Sequence, residues 1–74
     1  MARGRMTRIV RLEEHELSDG RVALCQFGRR YYVDRFFADD SPPKIYGLMS
    51  GGLTKEKASG IMADILAKDL SDSI

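Results

Sequence analysis

The sequence predicts an α+β domain: an antiparallel three- or four-stranded β-meander with one C-terminal helix packed on one face. Three observations predict it. Residues 7–37 fall into three runs suited to strands, separated by turn signals at Asp19-Gly20 and at Gly28-Arg29-Arg30. Ala58, Ile61, Met62, Ile65, Leu66 and Leu70 recur at the spacing of one apolar helical stripe. Strands and helix are segregated along the chain, which disfavours a parallel α/β arrangement.

Residues 1–5 lack periodicity and read as a flexible arm, followed by a sheet region over 6–49, a helix over 54–70 and a tail at 71–74. The first strand, from Thr7 to Leu17, puts Val10 and Leu12 on one face and Ile9, Arg11, Glu13, His15 and Leu17 on the other. Asp19-Gly20 suits a two-residue type I′ turn, because both central positions need positive φ. That turn sets Leu17 opposite Val22 and Leu12 opposite Phe27, matching apolar with apolar. In the middle strand Val22-Ala23-Leu24-Cys25 is an unbroken hydrophobic run, whereas a half-solvated strand would alternate.

The third strand, Tyr31 to Phe37, is rich in aromatics. Pairing Phe27 with Tyr31 and Cys25 with Val33 collects Val10, Leu12, Ala23, Cys25, Phe27, Tyr31, Val33 and Phe37 on one face, which is the expected core side. The opposite face then holds Leu17, Val22, Leu24 and Phe36 among Arg11, Glu13, His15, Gln26, Tyr32 and Asp34. Residues 38–44 form a loop containing two prolines. Residues 45–49 are a short fourth strand or an extended connector, ended by Ser50-Gly51-Gly52. Thr54 is the expected N-cap, with Lys57 in place of the Glu or Gln of a full capping box. A row of small residues, Ser59, Ala63 and Ala67, with Gly60 beside it, permits close approach of another backbone: the sheet or a second helix.

Seventy-four residues make a single domain with a generic stability of about 4–11 kcal/mol and little room for a deep pocket. Composition is that of an ordinary globular chain, 43% hydrophobic and 31% charged. One cysteine excludes an internal disulfide, and with neither a signal peptide nor a long apolar segment the expected compartment is the cytoplasm. Cys25 reads as a small buried thiol. His15 shares a strand face only with Glu13, too few ligands for a selective metal site. No nucleophilic triad or phosphate-binding loop is recognisable. The expectation is therefore a non-enzymatic domain without cofactor, metal or small-molecule ligand and without membrane association.

The charge is divided unevenly: +4 over residues 1–11, −3 over 12–28, +2 over 29–35 and −2 over 36–74. Two functional expectations follow. One helix covers one face of the sheet, so a middle strand apolar on both faces calls for a further cover. The first expectation is self-association, as a homodimer or with another protein, through Leu17, Val22, Leu24 and Phe36 of the leftover face, a sheet edge, or the row Ser59, Ala63 and Ala67. Val22, Leu24 and Phe36 would each contribute roughly 1.5–3 kcal/mol on burial. The alternative is nucleic-acid binding by Arg8, Arg11, Arg29, Arg30, Tyr32 and Arg35, with phosphate contacts from the arginines and stacking on the aromatics. The order of three strands and a helix, with the helix entry Leu53-Thr54-Lys55-Glu56-Lys57-Ala58, resembles small DNA-binding domains that lay a sheet in the major groove, including the arm-binding domains of some phage integrases. This resemblance covers about a third of the chain and implies DNA contact through the sheet.

Overall fold

A computed structural model of the chain describes residues 8–72. Four strands, β1 (Ile9–Leu17), β2 (Gly20–Phe27), β3 (Arg30–Phe37) and β4 (Lys44–Tyr46), form one antiparallel sheet in the order β1-β2-β3-β4, followed by helix α1 (Lys55–Asp72). The architecture is the α+β meander that the residue pattern predicts. The fourth strand exists but is short, and Gly47 to Gly51 turn the chain away before Leu53 bridges back to Tyr31. The helix runs two residues beyond the expected Leu70, and the arm at residues 1–5 lies outside the described residues.

The register differs from expectation at three places, each with a physical reason. The first turn is Ser18-Asp19, so Gly20 pairs with Leu17 and Val22 with His15. Gly20 is needed for close approach instead of for turn geometry: a Cβ there would lie 1.9 Å from the carbonyl oxygen of Phe36. A bulge at Leu12 then shifts the ladder, so that Arg11 faces Cys25 and Ile9 faces Phe27. Between β2 and β3, Leu24 pairs with Val33 and Phe27 with Arg30, one residue away from the expected pairing.

A one-residue shift exchanges the faces. The helix covers Val22, Leu24 and Val33, which with Ala58 and Met62 form the buried core; Leu17, Tyr31, Tyr46, Leu53, Ile61, Ile65 and Leu66 pack around it. Ala23, Cys25 and Phe27, expected in that core, point to the bare side. Val10 and Leu12 remain exposed at the sheet edge. The large branched side chains thus fill the space under the helix, where they have most apolar area to bury.

Thr54 caps the helix as expected, its Oγ1 accepting the Lys57 N–H at 3.2 Å. Ser59, Ala63 and Ala67 are exposed, so this row does not make the tight contact with the sheet. A Cβ on Gly60 would meet nothing within 4 Å. Gly60→Ala is therefore expected to raise stability by about 0.5–1 kcal/mol, read as a higher urea midpoint. A drop in association accompanying that rise would place a second helix on this row.

The first hairpin turn is tied to the end of the helix. Ser18 donates to Asp69 Oδ1 from both its hydroxyl (2.6 Å) and its backbone N–H (3.0 Å). These bonds hold the Asp69 carboxyl below the ordinary carboxylate range, led by the Ser18 side chain. A depressed folded-state pKa contributes stability that is present above the unfolded pKa, about 3.9, and lost as pH falls through the folded value. The melting-temperature gap between wild type and Ser18→Ala is accordingly expected to narrow below about pH 4.

Candidate functional site

The sheet face away from the helix carries the exposed chemistry of the domain. Partners across antiparallel strands share a face, and alternate positions along a strand do too. From one end to the other the bare face therefore reads Ile9, Phe27 and Arg30; then Arg11, Cys25 and Tyr32; then Glu14, Ala23, Asp34 and Ile45; then Glu16, Arg21 and Phe36. Ala23 and Cys25 are buried even on this side, because their small side chains lie below longer neighbours on β1 and β3.

Around that floor Ile9, Phe27, Ile45 and Leu48 wall a groove of about 220 Å³, with Cys25, Tyr32 and Asp34 also lining it. The walls are large and wet: Ile9 is 71% exposed, Leu48 61%, Phe27 43% and Ile45 39%. Scattered surface hydrophobics are ordinary; here four of them converge on one groove.

The charges on this face largely answer one another. Glu14 pairs with both Arg11 (3.2 Å) and Arg21 (3.3 Å), and Arg21 lies over the Phe36 ring. What remains is polar in the literal sense. Arg8, Arg29 and Arg30 lie at the end where β1 begins and β2 turns into β3, and none has an ion-pair partner among the described residues. Of the acids on this face Glu16 remains, toward the opposite end of β1.

The residues expected to form the association surface are separated by the fold. Val22 and Leu24 belong to the core under the helix and cannot reach a partner, which corrects that expectation; Leu17 is half-buried against the edge of that core on the helix side, Phe36 lies on the bare face, and Ser59, Ala63 and Ala67 lie on the outer helix surface. Of the expected nucleic-acid contacts, Arg35 is 8% exposed on the helix side, bonded to Asp19 and to the carbonyls of Arg21 and Phe36, so phosphate contact through it is also corrected. Arg8, Arg11, Arg29 and Arg30 are exposed and Tyr32 half-buried. The walls Ile9, Phe27, Ile45 and Leu48 escape sequence reasoning because their common exposure depends on the bulge and on the β2–β3 register.

The face offers little reactive chemistry. Desolvation raises the pKa of the Cys25 thiol, and the carboxylate of Asp34, which accepts its Sγ–H at 3.6 Å, adds to this against the opposing charge of Arg11. The thiol is thus held away from the nucleophilic thiolate form. His15 meets only Glu13, at 3.2 Å, and no group of three metal-ligating side chains exists among the described residues. No described helix is long and apolar enough to cross a membrane. Compared with protein-family models, curated proteins and solved structures, the chain matches none.

Proposed function

We propose that this domain is a non-enzymatic self-association module that pairs with a second copy of itself through the bare sheet face. The single observation that carries the reading is the convergence of Ile9, Phe27, Ile45 and Leu48 on one wet groove. Covering what remains exposed of each contributes on the order of 1–2 kcal/mol, at about 25 cal/mol per Å². Set against the cost of association, that favours a dimer in the micromolar range.

Charge argues for a second copy as the occupant. Among the paired strand residues of the face, Arg11, Arg21 and Arg30 balance Glu14, Glu16 and Asp34. A two-fold axis near its centre lays the Arg8 and Arg30 end of one copy over the Glu16 end of the other. Such complementarity sets orientation and on-rate more than affinity.

Leu48 is the cleanest test, since it lies on a turn and outside the core cluster. Leu48→Asp is expected to weaken self-association at least tenfold in sedimentation equilibrium, with an unchanged melting curve for the monomer. A dimer of unchanged affinity in this variant contradicts the surface.

Nucleic-acid binding is the second reading, favoured by one observation: Arg8, Arg29 and Arg30, which have no ion pair among the described residues, lie at one end of the sheet with Phe27 and Tyr32. On that reading Arg29→Ala and Arg30→Ala weaken oligonucleotide binding and flatten its salt dependence, while Leu48→Asp has little effect.

A further inference from the structure

A second cavity, of about 300 Å³, opens on the helix side of the sheet, where the first hairpin turn meets the last turns of α1. Three cations converge on it: Arg35 from β3, Lys44 from β4 and Lys68 from the helix. Arg35 and Lys44 are direct cross-strand partners on one face, a placement in which like charges repel.

Two carboxylates stand against these three cations, which leaves the cavity one net positive charge. Asp19 accepts from the buried guanidinium of Arg35. Asp69 accepts both bonds from Ser18. Lys44 has only the face of the Tyr46 ring, 4.9 Å away, and Lys68 has no carboxylate partner among the described side chains. The cavity is lined as well by Leu17, Phe37, Tyr46 and Ile65.

We infer that this cavity is a binding site for a small carboxylate carried on an apolar body. Lys44 and Lys68 take the carboxylate, and an anion there relieves the repulsion between Lys44 and Arg35. The aromatic and aliphatic lining takes a ring or short alkyl chain, and the volume lies at the lower end of small-ligand sites. The carboxylate has two possible sources, a free aryl- or alkyl-carboxylic acid and the C-terminal end of a peptide closing on an apolar residue. The site lies on the opposite side of the sheet from the proposed dimer surface and does not rest on that reading.

The test is calorimetric titration of the full chain with hydrocinnamate, with its neutral amide, and with a short acetylated peptide ending in phenylalanine as free acid and as amide. At least one acid is expected to bind saturably, and its amide at least about tenfold more weakly. The tighter of the two acids identifies the source. Lys44→Gln is expected to weaken binding about tenfold while raising the melting temperature of the ligand-free protein, because one of two facing charges is gone. That opposite movement of binding and stability separates a site from a merely structural lysine. Equal binding of acid and amide, unchanged affinity in Lys44→Gln, or no saturable binding by either acid overturns the proposal.

Discussion

Leu24→Asp is expected to unfold the domain outright. Leu24 is buried between Val22, Val33, Ala58 and Met62, all apolar and none able to answer a carboxylate. Its replacement forfeits roughly 1.5–3 kcal/mol of burial and adds several more for an unpaired buried charge. Against a total of about 4–11 kcal/mol for a chain of this length, that removes most or all of the stability. Circular dichroism checks it directly, the expected spectrum being that of an unfolded chain at ordinary temperature. A folded monomer would mean that Leu24 faces a partner and that the helix covers the other side of the sheet.

Gly20→Val is the second large effect. Position 20 combines a φ of 151° with an added Cβ only 1.9 Å from Phe36 O and 2.8 Å from Arg35 Nη1. Neither neighbour yields cheaply, because one is backbone and the other belongs to the buried Arg35 that Asp19 holds. The β2–β3 ladder has to open at that end, and the expected cost is about 2–4 kcal/mol, read from urea denaturation. A cost below about 0.5 kcal/mol would return Gly20 to the solvent-exposed turn position that its sequence context suggests.

The same glycine shows where the sequence stops being legible. Strand and helix positions, the Thr54 cap and the fold class all follow from local pattern, since each is encoded in neighbouring residues. Register is not. Ser18-Asp19-Gly20 accommodates two hairpin turns that differ by one position, and the bulge at Leu12 leaves no mark in an already irregular strand. In Val22-Ala23-Leu24-Cys25 both faces are apolar, so hydrophobicity cannot say which one meets the helix. Size is the signal that decides: Val22, Leu24 and Val33 fill the helix side, while Ala23 and Cys25 fit beneath their sheet neighbours. That slip moved Leu17, Val22 and Leu24 into the predicted contact surface and left Ile9, Phe27, Ile45 and Leu48 out of it. It also hid Arg35, which reads as one more exposed arginine until its pairing with Asp19 is seen.

We propose that the bare sheet face binds a second copy. Sedimentation equilibrium of the wild-type chain at low and high salt, with and without a mixed-sequence oligonucleotide, tests it most directly. The expected result is a dimer in the micromolar range that persists at high salt, because its stability comes from apolar burial, and that ignores the oligonucleotide. A monomer that binds the oligonucleotide with affinity falling steeply as salt rises would contradict it and assign the face to the arginines.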